Sequence, residues 1–237
     1  MTAALESGDT DEASRQGVLA GPQVIEAALA SPARPSRLAA ITAAPAVEAR
    51  AELLPALATA AGAGDRRTAI PAARAARTIA RELAQSSRDG DVPDDLDPVD
   101  VATWRALFES LSHNTNRFIE VRVLALDTVA SLAQVIDPHE LGFDLAAALA
   151  DPDPALRSIA IALVPRPTPA TARAALASTV KSELDPAVAL AAAQVLCGDE
   201  RDPAIAVLGG PGLDRVKQLV AGKPARTTRD ARRCLER

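Results

Sequence analysis

Tyrosine is absent from these 237 residues; tryptophan and methionine occur once each, phenylalanine three times, histidine and cysteine twice each. With aromatics at 2% and alanine the commonest residue, an all-β fold is excluded in practice. Strands draw on aromatic and β-branched side chains, whereas alanine is the best helix former. The same shortage removes the stacking platforms a single-strand nucleic-acid binder uses and the large anchors of tight binding hot spots. Neither His113 nor His139 has a second His or a Cys at ligand spacing, so no metal set is expected. No Gly-x-Ser-x-Gly elbow, Walker motif or dinucleotide fingerprint occurs, and in Gly209-Gly210-Pro211-Gly212 the proline removes an N–H that a phosphate nest would need. That run reads as a turn between helices. No cofactor and no catalytic residue are expected.

Two cysteines, Cys197 and Cys234, are too few for a disulfide framework and are expected as small buried hydrophobes in a reducing compartment. No apolar run approaches a membrane span. The first residues carry Glu6, Asp9, Asp11 and Glu12 where a signal peptide would place positive charge and then an apolar run. The expectation is a soluble cytoplasmic protein.

What the chain does have is 48% hydrophobic residues, mostly methyl-sized, and a net charge of -5, which is a folding rather than a disordered composition. Asp-Pro recurs at 97–98, 137–138, 151–152, 153–154, 185–186 and 202–203, each before a helix-compatible apolar pattern. Asp can cap free amides while Pro suits the first helical position, so these steps read as helix starts; Asp137 with Glu140 resembles a capping box. Most of the resulting helices are too short to stand alone and must pack in pairs.

The clearest unit runs from Asp151 to Leu163, with Leu156, Ile159, Ala160 and Leu163 on one helical face. Related segments are Glu120–Leu132, containing Arg122, and Leu184–Leu196, which has Ala189 where the others carry Arg; weaker copies cover Arg37–Thr42, Arg74–Leu83 and Arg229–Leu235. Anchors at 37, 74, 122, 157, 189 and 229 lie roughly 32 to 48 residues apart, the range of two-helix repeats. Partner helices are expected around Gln23–Leu29, Val47–Ala61, Val99–Leu111, Glu140–Ala150, Pro169–Ser182 and Leu213–Val220. Leu54, Leu57, Ile79, Leu107, Leu111, Leu124, Val129, Leu156, Ile159, Leu163, Leu190 and Leu196 are expected inside.

On the Asp-x-x-x-Arg pattern, best seen at Asp153 to Arg157, the chain resembles the HEAT-repeat proteins, of the short bacterial or archaeal kind related to the repeats of phycobilisome lyases. The resemblance implies an Asp in the turn between paired helices and an Arg beginning the second, tying one repeat to the next. Asp153 and Arg157 match both positions, Arg122 only the second, and Asp185 only the first. The implied fold is an all-α, right-handed α-solenoid of about six antiparallel helix pairs. Residues 1–21 are expected as a flexible acidic tail, 22–85 as two repeats and 101–237 as about four more in one continuous solenoid. Residues 86–100, with six Asp, read as an exposed acidic loop. An EF-hand reading from Asp89 fails, since Asp94 and Asp100 stand where Gly and Glu are required.

Charge divides unevenly: the ends of the expected solenoid are basic and its middle acidic. HEAT resemblance places second helices on the concave side, so Arg37, Arg74, Arg77, Arg81, Arg122, Arg157, Arg229 and Arg233 are the candidate binding surface, with Arg74, Arg77 and Arg81 on one helical face. Three readings follow: a scaffold or adaptor docking an unidentified protein, the preferred one; a nucleic-acid binder similar to the HEAT-like DNA glycosylases, disfavoured by the acidic total and by Trp104 standing alone; and arginines that are solvated faces and inter-repeat ladders. A bilin lyase activity is implied only by the name of the repeat subfamily.

Overall fold

The computed structural model describes residues 21–91, 96–199 and 201–236. The expected acidic tail lies outside these except for Gly21, as do residues 92–95 of the expected loop. The fold is all-α: among the described residues there are twelve α-helices, two short 3-10 turns and no strand. Contacts divide the chain into two compact units, one ending at Pro138 and the other beginning at His139.

The first unit holds α1 (Pro22–Leu29), α2 (Arg34–Ala43), α3 (Leu54–Ala61), α4 (Arg66–Asp89), α5 (Pro98–His113) and α6 (Ile119–Ile136). Consecutive helices pair as α1 with α2, α3 with α4 and α5 with α6, while α3 also touches α1 and α5, and α4 touches α2 and α6. Odd and even helices thus form two layers. Arg66 meets Glu120, Arg81 meets Asp127 and Arg88 meets Gln134, and because both members advance together, α4 and α6 run in the same direction.

The second unit repeats the scheme with α7 (Leu145–Leu149), α8 (Pro154–Ala162), α9 (Ala170–Ser182), α10 (Pro186–Asp199), α11 (Arg201–Val220) and α12 (Ala225–Arg233). Here α9 lies against α7 and α11, and α10 against α8 and α12.

Aspartate sets many of the helix starts. Asp97, Asp153 and Asp185 accept from the N–H two residues on, at 2.8 Å in each case, with Pro following as expected. Asp65 and Asp144 cap α4 and α7 in the same way without a proline. Asp137 is different: it ends α6, and the helix expected over Glu140–Ala150 shrinks to α7, because Gly142 takes a left-handed φ of 77° that interrupts helical continuation.

The expected loop at 86–100 is also shorter than its composition suggested. Ser86–Asp89 continue α4 and Pro98–Asp100 open α5. The polar run stays helical because its side chains find partners: Gln85 donates to Asp89, Ser87 Oγ to the Val135 carbonyl at 2.8 Å, and Arg88 to Gln134. Gly90, at φ 82°, then stops the helix. The turn expected at Gly209–Gly212 is a break within α11, where Gly209 adopts φ 60° and ψ -175°, a region essentially reserved for glycine. Pro211 follows the break, where a missing N–H costs nothing, and Lys181 Nζ donates to the Val207 carbonyl that precedes it, at 3.0 Å.

Alanine lets the helices approach. α4 buries Ala69, Ala72, Ala73, Ala76 and Ala80 beside Ile79 and Leu83, and every residue of α6 from Leu124 to Ala133 is buried. Of the expected interior residues, Leu54, Leu57, Ile79, Leu124, Val129, Leu156 and Leu196 are buried. Leu111, Ile159, Leu163 and Leu190 are half-buried, and Leu107 is exposed, because α5 turns Trp104 and Phe108 inward instead.

Candidate binding surface and arginine network

The candidate surface begins with α4, whose arginines at 66, 74, 77, 81 and 88 follow one another along the side facing α6 or bordering it. Asp127 stands inside the otherwise apolar run of α6, and its carboxylate would be costly there without a partner. Arg81 grips it with two hydrogen bonds, Nε to Oδ1 at 3.2 Å and Nη2 to Oδ2 at 2.7 Å. Arg77 Nε stands 2.7 Å from the same Oδ2 as an ion pair, out of hydrogen-bond alignment. The carboxylate is 5% exposed, the two arginine side chains 34% and 50%, so one buried charge is shared by two guanidiniums that keep a wet edge. Arg66 pairs with Glu120 and lies over the Phe118 ring at 6.0 Å. Arg74 is exposed and within electrostatic reach of Glu120. Glu120 is held below the usual carboxylate range, first by a hydrogen bond from its own backbone N–H and then by Arg66 and Arg74.

A second pattern recurs at one register. Counting from each N-terminal flanking residue (Ala33, Phe118 and Asp153), the fourth residue onward is Arg37, Arg122 and Arg157. Each reaches back to carbonyls at the end of the preceding odd helix or in the turn after it: Arg37 to Ser31 and Pro32, Arg122 to Ser112, Arg157 to Asp151 and Pro152, at 2.7 to 3.1 Å. Helix C-termini leave such carbonyls without intrahelical partners and carry partial negative charge, so a guanidinium satisfies both. Asp185 begins α10 at the same register, where Ala189 is the fourth residue. The anchors chosen at Arg74 and Arg229 fall elsewhere: the equivalent positions after Asp65 and Pro224 are Ala69 and Thr228, both buried.

In the second unit Arg157 also makes a two-point pair with Glu183, at 2.9 and 3.2 Å, with the side chains 14% and 11% exposed. The pair lines an open pocket of about 660 Å3, at which Leu184 is 92% exposed. Arg233 donates to the Gly198 carbonyl at 2.7 Å, and Arg229 is exposed on α12. Of the eight candidate arginines, six are thus bonded to the chain's own carboxylates or carbonyls; the other two, Arg74 and Arg229, are exposed and lie in different units.

The cysteine expectation is corrected. Cys197 and Cys234 form a disulfide with Cα atoms 5.4 Å apart, joining α10 to the end of α12. Both are buried as expected, but as a bond between helices rather than as separate hydrophobes. Pairing over 37 residues depends on the fold bringing two helix ends together, which spacing alone does not reveal.

Trp104 does not join the arginine rows. It lies on odd helix α5, is 7% exposed, and borders a pocket of about 610 Å3 whose lining includes Glu48, Glu52, Asp97 and Asp100. Arg50, in the same lining, is paired with Glu82 at 3.0 Å. None of the four aromatic side chains is exposed. Asp127 and Glu183 were not singled out by sequence; for Asp127 the available signal was a lone charge in an apolar helical run, which demands a partner.

No protein-family model matches the chain, and no curated protein does. Among solved structures, the chain is similar to a crystal structure of an engineered protein from a structural genomics consortium, with a TM-score of 0.53 and 18% identity over 90% of this chain. The match spans 56% of that protein's length. At this identity the likeness concerns the all-helical fold alone. Among the described residues, no helix is long and apolar enough to cross a membrane.

Proposed function

We propose that the chain is a short HEAT-like repeat protein, a right-handed stack of about six antiparallel helix pairs, that serves as a non-catalytic docking module for another protein through its even-numbered helices. Support for the architecture comes from the alternation of odd and even layers in each unit and from the arginine register at 37, 122 and 157. The observation that carries the functional reading is the internal bonding of the arginines. Guanidiniums committed to Asp127, Glu183 and helix-end carbonyls leave a surface defined by shape and scattered charge, suited to shallow protein contacts.

The same bonding disfavours a nucleic-acid interface, which needs several outward cations and, for single strands, exposed aromatics. Trp104, buried beside carboxylates, supplies neither. Nothing in the site favours a bilin lyase. A cytoplasmic home, expected in part from unpaired cysteines, loses that support, since persistent disulfides suit oxidising surroundings.

The test compares crosslinked partners of the native protein with those of Arg74→Glu and Arg229→Glu, two exposed positions that hold no buried group. Loss of a specific protein partner with unchanged melting supports the proposal. Salt-sensitive duplex binding with no protein partner would overturn it.

A further inference from the structure

The second unit ends in a helix poorly equipped to hold its own place. α12 has nine residues, four of them arginines, and buries only Thr228 and Ala231 along its length, with Cys234 following. Isolated helices of that length are marginal in water, and one methyl group and one threonine supply little apolar contact. By contrast, α10 beneath it buries Val188, Ala189, Ala192, Ala193, Leu196 and Cys197.

Other attachments are polar and near the surface. Gln194 Nε2 donates to the Thr227 carbonyl at 2.6 Å and Arg233 to the Gly198 carbonyl, both exposed. Arg232 bonds the Val220 carbonyl at the end of α11 and the Lys223 carbonyl in the turn before α12, which fixes that junction more than the contact with α10. Beside the disulfide the approach is close: a Cβ placed on Gly198 would stand 3.1 Å from Asp230 Cβ. Glycine next to Cys197 lets α12 settle onto the α10 backbone, and Cys234 then reaches the sulfur.

We propose that the Cys197–Cys234 bond is a redox latch that keeps α12 docked over Gln194–Gly198 of α10. In the oxidised protein the polar α12 closes the end of the second unit. A dithiol reductant delivers two electrons and two protons, converting the S–S bond to two thiols while becoming a disulfide itself, and α12 then detaches without unfolding the rest. Cys197 and Cys234 are 1% and 4% exposed, so a reductant reaches the bond through local fraying around Cys234, and full release of α12 follows reduction. Undocking uncovers the α10 face that carries Gln194, Cys197 and Gly198, with the Cys197 thiol on it. Because α12 belongs to the even-helix surface, undocking also moves Arg229; the latch itself rests on the α10–α12 contact and not on what that surface binds.

Hydrogen exchange read by mass spectrometry on the full chain tests this, comparing the oxidised protein, the same protein after a dithiol reductant, and Cys197→Ser/Cys234→Ser. The expected result is exchange at least ten-fold faster over 225–236 and 194–198 in the reduced and serine forms, with α4 and α6 unchanged. Equal protection of α12 in all three forms would overturn the latch, since the bond would merely decorate a stable contact. So would loss of protection throughout the second unit on reduction, which would make the bond a staple of the whole fold.

Discussion

Arg81 holds Asp127 with two hydrogen bonds across 46 residues of sequence, tying the fifth turn of α4 to the middle of α6. The relationship is asymmetric. Asp127 is buried and cannot leave, whereas Arg81 and Arg77 have water on one side.

That asymmetry sets the first prediction. Arg77→Ala with Arg81→Ala strands a buried carboxylate and is expected to cost about 3–5 kcal/mol. Asp127→Asn leaves two arginines free to turn outward and is expected to cost less, about 1–3 kcal/mol. Adding Asp127→Asn to the double arginine variant should restore part of the loss. Urea denaturation of the four proteins checks the order; a double arginine variant as stable as the parent would show that the pairs contribute nothing. Charge reversal at Arg77 and Arg81 is therefore no clean probe of docking, because it also attacks the fold.

Arg157 joins the α8 start to Glu183 and to two carbonyls. Arg157→Ala is expected to lose about 2–4 kcal/mol, and Arg157→Lys to recover only part, since an ammonium cannot make the two-point pair. Arg37, which bonds the Ser31 and Pro32 carbonyls alone among the described residues, should cost less on the same change. Denaturation curves for the three variants decide it, and full recovery by lysine would contradict the geometry.

Burial separates two neighbours on α8. Ile161 is 1% exposed and Ile159 half-buried, so Ile161→Asp should unfold the second unit while Ile159→Asp weakens it. Circular dichroism melts distinguish these outcomes, and equal damage would place α8 with a different face inward.

Acid should loosen α4. Asp65 is held below the usual carboxylate range chiefly by the Thr68 hydroxyl and the Arg67 N–H, and Glu120 by its own N–H and then the arginines. Folded values below the unfolded ones mean stability that is present above about pH 4 and is lost as pH falls through the folded values. Both groups sit at the surface, so the effect is modest. Asp65→Asn should flatten the stability profile between about pH 5 and 2; an unchanged slope would exclude this capping contribution.

Alkylation of the native protein unfolded in denaturant without reductant should label neither cysteine, and prior reduction should expose both. Two labelled thiols without reduction would remove the disulfide and the latch with it.

Much of this was legible in the sequence where the causes are local. Asp97, Asp153 and Asp185 mark helix starts because capping involves only neighbours, and Arg37, Arg122 and Arg157 share a register because each serves the turn just before it. Distant partners were not legible. Ser86–Asp89 read as loop because Val135 and Gln134, which hold them in helix, lie some 46 to 48 residues away. The Cys197 and Cys234 pairing and the Arg81 hold on Asp127 depend on the same kind of distant meeting. Gly142 is a local signal as well: its left-handed φ cuts the helix that periodicity suggests over Glu140–Ala150 down to Leu145–Leu149.

The central claim is that the arginines are bonded inside the protein and not held out for phosphate. Nitrogen-edited NMR of the arginine Nε–H groups during titration with a DNA duplex tests it directly. Sharp, slowly exchanging signals for Arg81, Arg122 and Arg157 that do not move as duplex is added are the predicted result; signals that are absent from exchange with water, or that shift with saturable, salt-sensitive binding, would contradict it.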